Sequence, residues 1–196
     1  MRLGLVISFL AIHGIMSAIR ADDSFLKVSM DSHVSYIVPE NYASNHKAEF
    51  ADSLPEDVKI TGFWTPSANS VVVAERTFRE LIHRGATDLS VIYPDLAKNP
   101  TDFPPDSARD MQGELVLIGK NYNAYTRQFV GMVIDGHKVI FCNYTDFQKI
   151  DPSTDYIFIQ KVFGQVGGFH FLQCRYDFAS RSCQNVAIIG SWQEVK

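Results

Sequence analysis

Alternation of apolar and polar side chains is sharpest between Tyr125 and Asn143. Two β-branched and aromatic runs flank Asp135-Gly136, a dipeptide suited to a two-residue type I′ turn. That turn sets Ile134 opposite His137, Met132 opposite Val139 and Val130 opposite Phe141. Continuing outward, Gln128 meets Asn143 and Arg127 meets Tyr144. One face of the hairpin then carries Gln128, Val130, Met132, Ile134, Val139, Phe141 and Asn143. The other carries Tyr125, Arg127, Phe129, Val133, Ile140, Cys142 and Tyr144.

The longest helical stripe lies upstream. Val71, Ala74, Phe78, Leu81 and Ile82 recur at helical spacing. Thr65 is the expected N-cap, Pro66 the first helical residue and Gly85 the C-terminal stop. Glu75–Arg79 and Glu80–Arg84 have the spacing of intrahelical ion pairs. Before this helix, Val58, Ile60, Gly62 and Trp64 alternate as a strand. Residues 22–57 read as an irregular N-terminal arm that packs in places, with Phe25–Met30 and Ser35–Val38 as short strand candidates. Residues 86–113 carry Tyr93-Pro94, Asn99-Pro100 and Phe103-Pro104-Pro105 and read as a long acidic connection. Further strands are expected at Leu115–Ile118, Tyr156–Phe163, Phe169–Tyr176 and Val186–Ile189, with a Gly-rich turn at 164–168. Strands joined by short turns predict an antiparallel sheet. The fold class that follows is α+β: one long helix packed on a curved antiparallel sheet, in a single domain spanning 58–196.

The start of the chain changes the picture. Met1-Arg2, a nearly unbroken apolar run from Leu3 to Ile12, and small residues up to Ala21 read as a signal peptide over 1–21, cleaved before Asp22. The expected location is therefore secreted or periplasmic. The whole chain has 18 Lys and Arg against 22 Asp and Glu. Without Arg2 and Arg20 the balance is 16 against 22, a charge of −6. An acidic chain argues against nucleic acid as partner, and no later segment is apolar for long enough to span a bilayer. The expected partner is a protein or a small ligand of unknown chemistry.

Candidate chemistry gathers at the end of the hairpin away from its turn. Arg127, Gln128, Asn143 and Tyr144 form a polar spot at the sheet mouth, with His170 on a later strand. It reads either as a ligand-binding site or as a cluster of mutually satisfied buried groups, Gln128 pairing with Asn143. No two histidines have metal-ligand spacing and no cofactor motif is present, so neither a metal nor a cofactor is expected. A Cys142–His170 thiol and base is the enzymatic alternative, a hydrolase. In an exported chain three cysteines leave at least one unpaired. A four-residue loop centred on Phe178-Ala179 sets Cys174 opposite Cys183, which favours a disulfide there over free thiols. Asn143-Tyr144-Thr145 matches the glycosylation sequon, but the register turns Asn143 toward an apolar face.

Phe63-Trp64-Thr65-Pro66 with its helix, Tyr125-x-Arg127-Gln128-Phe129-x-Gly131, Val139–Asn143 and Gly167-Gly168 before Tyr176-Asp177 resemble a group of uncharacterised exported bacterial proteins. The resemblance covers the C-terminal two thirds. It implies export and a compact α+β domain; Cys174 and Cys183 depart from its pattern. More loosely, the element order is similar to the cystatin-like architecture, which implies a protease-inhibitor-like module as a further alternative. The Gln-x-Val-x-Gly wedge of that class is incomplete at both Gln128-Phe129-Val130-Gly131 and Gln165-Val166-Gly167. No inhibitory site is carried over. The leading expectation is an exported binding or interaction domain.

Overall fold

Two apolar surfaces, one on each side of a single sheet, divide the core. The computed structural model describes residues 20–21, 25–30, 33–51, 54, 58–95, 105–145 and 171–189. Its strands are β1 (Arg20–Ala21), β2 (Phe25–Met30), β3 (His33–Val38), β4 (Ile60–Trp64), β5 (Thr126–Ile134), β6 (His137–Thr145), β7 (Phe171–Asp177) and β8 (Ser182–Ile189). The helices are α1 (Glu40–Asn45), α2 (Lys47–Ala51), α3 (Ala68–Gly85) and α4 (Pro105–Asn121). The sheet runs β1-β2-β3-β5-β6-β7-β8, with β4 also paired to β5. The fold is α+β, as the patterning predicts.

The central hairpin has the predicted register at every pair, from Ile134↔His137 to Arg127↔Tyr144. Asp135 and Gly136 both take positive φ, 50° and 82°, as a type I′ turn demands. The other edge of β5 is divided. Its first half pairs with β3, and that ladder is parallel. Its second half pairs with β4 in the antiparallel sense. The sheet is therefore mixed rather than wholly antiparallel. A parallel pair needs a long crossover, and the chain between β3 and β5 supplies one, carrying the four helices just named.

The described segments within 22–57 are more regular than expected. β2 and β3 are full members of the sheet, and Ile37 and Val38 are fully buried. The long connection is also more regular. Leu89–Val91 forms a 3-10 turn, and α4 absorbs the expected strand at 115–118. Ala108, Met111, Leu115, Ile118 and Tyr122 all pack into one cluster. Their spacing is helical, and Pro105 at the first position removes no needed donor. Local proline density masked that stripe.

α3 buries Val71, Ala74, Phe78 and Ile82 as predicted, and Leu81 is half-buried against the same cluster. Its ends differ. The N-cap is Ser67, whose side chain accepts from the Ser70 amide at 3.2 Å. Thr65 Oγ1 instead accepts from the Glu40 amide at 2.9 Å, tying the loop to α1. Gly85 is the last helical residue and Ala86 caps it with φ −62°. What Gly85 provides is room: a Cβ there would lie 2.7 Å from Cγ1 of Ile92.

α3 and α4 cover the sheet face made by Ile37, Phe129, Ile140, Cys142, Tyr144, Leu172, Cys174 and Tyr176. Ala43 of α1 and Phe50 of α2 pack on the opposite face with Tyr36, Val38, Val130, Met132 and Phe141. A bulge between Ile60 and Gly62 breaks the expected alternation of β4. It puts Ile60 and Phe63 on that second face and turns Trp64 to the first. Trp64 can lie there because Gly131, its ladder partner, has no side chain. A Cβ on Gly131 would meet the Trp64 carbonyl oxygen and come within 2.8 Å of the indole.

Candidate functional site

The sheet-mouth residues divide between the two faces as the hairpin register requires. Arg127 and Tyr144 face α3; Gln128 and Asn143 face the other way. None of them forms an open mouth with the rest. Arg127 and Gln128 are each 2% exposed and Tyr144 is fully buried. Only Asn143 is half-buried, and it accepts a hydrogen bond from Gln173 Nε2 of β7 at 3.4 Å. The expected Gln128–Asn143 amide pair is thus replaced by Asn143–Gln173, because β7 lies beside β6 at that level. Gln128 Nε2 has no hydrogen-bond partner among the described residues. His170 lies outside the described residues, as do the expected Tyr156–Phe163 strand and the Gly-rich turn.

Arg127 is the centre of a buried polar cluster. Its Nη1 forms an ion pair with Glu75 of α3, whose side chain is 12% exposed. Its Nη2 donates to the Tyr122 carbonyl at 3.1 Å. The guanidinium lies over the Tyr122 ring at 5.0 Å, and Arg79 stands at 5.6 Å from the same ring. Glu75 is therefore drawn inward to Arg127 rather than spent on a surface pair with Arg79. The Tyr122 and Tyr144 ring centroids are 5.7 Å apart. Among the described residues neither hydroxyl, nor Arg127 Nε, meets hydrogen-bond geometry with a partner. An unpartnered buried polar group costs roughly 1–3 kcal/mol, so the cluster is maintained against its own cost.

Burial holds the Tyr122 hydroxyl well above the ordinary tyrosine range; the nearby Tyr144 hydroxyl and Arg127 pull the other way, and Glu75 adds to burial. Burial does the same to Tyr144, reinforced by Tyr122 and by the Cys142 and Cys174 thiols. Both phenols are neutral at physiological pH. The Cys142 thiol is also pushed up, chiefly by burial, so it is a poor nucleophile at neutral pH. What this cluster does chemically is pin α3 to the sheet through one charge pair.

The cysteines are free, with no disulfide between Cys174 and Cys183. The reason is register. The last hairpin turns one residue later than expected, which shifts the pairing by two and sets Asp177 opposite Ser182 and Tyr176 opposite Cys183. Cys174 instead faces Cys142 across β6 and β7.

Sequence reasoning missed a cleft of about 230 Å³ between α3 and α4. His83, Ala86, Leu115, Val116, Gly119 and Lys120 line it. The His83 imidazole lies 3.4 Å from where a Gly119 Cβ would stand, so the glycine opens the cleft floor. Among the described residues Val116 is one of two large apolar side chains left exposed, at 42%. The helical stripe of α4 was the signal that would have set its residues beside His83. Among the described residues, no group of three His, Cys, Asp or Glu side chains is arranged to hold a metal ion. No described helix is long and apolar enough to cross a membrane. No family model matches the chain, and no curated protein or solved structure shows significant similarity to it.

Proposed function

We propose that the chain is an exported binding domain that takes a small amphipathic anion in the cleft between α3 and α4. The observation that carries this reading is the composition of the cleft wall: Ala86, Leu115 and Val116 are apolar, and His83 and Lys120 are basic. Apolar lining with a few convergent polar groups is the usual character of a ligand site. A carboxylate held by Lys120 and His83, with an apolar body against Leu115 and Val116, satisfies both halves of that lining. The polar spot at Arg127 and Tyr144 favours a structural role over hydrolysis, since both side chains are closed off beneath α3.

Export rests on the apolar run from Leu3 to Ile12 and the small residues before Asp22. Cleavage there would also remove β1, whose two residues pair with Phe25 and Leu26 at the edge of the sheet. Titration of the purified chain with octanoate, followed by NMR of the His83 and Val116 signals, tests the binding reading. Saturable shifts that disappear in Gly119→Leu, which fills the cleft, are expected. Shifts that persist in Gly119→Leu, or no saturation, would remove the cleft as the site.

A further inference from the structure

Three thiols converge on the helix-facing side of the sheet. Cys142 and Cys174 are direct cross-strand partners, and both are fully buried. Cys183 pairs with Tyr176, two positions along β7 from Cys174, so it stands diagonally beside Cys174 on the same face. Cys174 is the member that adjoins both of the others. Cys183 differs from them in being only half-buried. Its Sγ lies 4.0 Å from the Ala74 carbonyl oxygen of α3. The cluster therefore has a buried pair and an entry thiol joined through one shared member.

We propose that Cys142, Cys174 and Cys183 form a thiol–disulfide exchange site, entered at Cys183, that reduces an external disulfide and ends with a Cys142–Cys174 bond. Geometry assigns the product. Residues directly opposite on an antiparallel ladder have Cα atoms about 4.5–5.5 Å apart, inside the span of roughly 4.4–6.8 Å that a disulfide bridges. Diagonal neighbours are about 7–8 Å apart, which demands backbone movement. Cys174 sits where the β7–β8 register shifts, between Gln173 and Arg175, so a transient diagonal bond has local freedom to form.

The steps balance. The Cys183 thiolate attacks one sulfur of the external disulfide, forming a mixed disulfide and releasing one thiol. The Cys174 sulfur attacks Cys183 Sγ and expels the second thiol, its proton passing to the departing sulfur. Cys142 then attacks Cys174, passing its proton to the departing Cys183 sulfur, which forms the Cys142–Cys174 bond and returns Cys183 to its thiol. One external disulfide becomes two thiols, and two protein thiols become one disulfide. Buried, protonated Cys142 and Cys174 are shielded from direct attack by a bulky disulfide, which is why entry falls to Cys183.

The probe is oxidised glutathione, added to the reduced full chain, with timed alkylation, digestion and peptide mass spectrometry. A glutathione adduct on Cys183 is expected first, followed by a Cys142–Cys174 linked peptide with Cys183 recovered as a thiol. Cys183→Ser should slow the bond by about tenfold or more, through loss of the accessible thiol, without changing its identity. Three alkylatable thiols after oxidation, an adduct on Cys183 that never resolves, or a final Cys174–Cys183 bond would each overturn the proposal. A bond that forms in Cys183→Ser as fast as in the unaltered chain would overturn the entry role.

Discussion

Removing Glu75 isolates a charge that the fold has otherwise buried. Arg127 is 2% exposed and the Glu75 side chain 12%. After Glu75→Leu, Arg127 retains the Tyr122 carbonyl at 3.1 Å and the face of the Tyr122 ring, neither of which carries a full negative charge. Breaking a buried pair by deleting one partner costs about 3–5 kcal/mol. The small exposure of Glu75 admits some water, which places this case near 3 kcal/mol at the low end of that range. For a chain of this size that is a fall in melting temperature of roughly 6–12 °C. Arg127→Met should cost less, about 1–2 kcal/mol, because the carboxylate left behind is the better solvated partner. In Glu75→Leu with Arg127→Met no charge remains to desolvate, and the double variant should lie within about 2 kcal/mol of the parent. The double-mutant cycle then yields a coupling of at least about 2 kcal/mol. Urea unfolding followed by Trp fluorescence and circular dichroism measures all three variants. A Glu75→Leu loss below about 1 kcal/mol, or a double variant as unstable as the sum of the singles, would refute the reasoning that one desolvated charge pair pins α3 to the sheet.

Gly131→Ala should destabilise by about 3 kcal/mol or more, because its Cβ collides with Trp64 backbone and ring together and the β4 edge has no soft atom to yield; differential scanning calorimetry reads it, and a neutral result would mean that β4 is not seated as described. Gly136→Ala forces a Cβ onto φ 82° and should cost about 1 kcal/mol in urea unfolding with the sheet retained. The raised Tyr122 and Tyr144 pKa values fix a sign: above the ordinary value of 10.0 the unfolded chain loses these protons first, so stability falls as pH rises through and beyond it. Each such group contributes a slope approaching about 1.4 kcal/mol per pH unit, so Tyr144→Phe should make the measured slope shallower by up to that amount; an unchanged slope between pH 10 and 11 would contradict burial of that phenol. Expression with export should deliver a chain whose N-terminal residue is Asp22, read by Edman sequencing; an intact Met1 in the medium would oppose the signal-peptide reading.

What the sequence determined by itself is whatever depends on neighbours along the chain. Asp135-Gly136 and the alternation beside it set the full register of β5 and β6, and with it the face of every side chain from Thr126 to Thr145. The stripe of α3 set which residues it buries. Both signals are local, and local geometry suffices to read them. The stripe of α4 has helical spacing too, but the prolines that precede it carry a loop signal of equal strength. Tertiary structure decided the rest. That β5 shares its second edge between β3 and β4 depends on a crossover of roughly ninety residues, and no short window contains that arrangement. Glu75 left Arg79 for Arg127 because a buried guanidinium demands a partner more strongly than an exposed one. A one-residue change in where the last hairpin turns moved Cys183 from Cys174 to Tyr176, while the separate β6–β7 ladder set Cys174 opposite Cys142. The cleft of His83 and Lys120 exists only where two helices meet. Contacts between distant segments are won by burial and desolvation, and those terms are set only once the chain has closed upon itself.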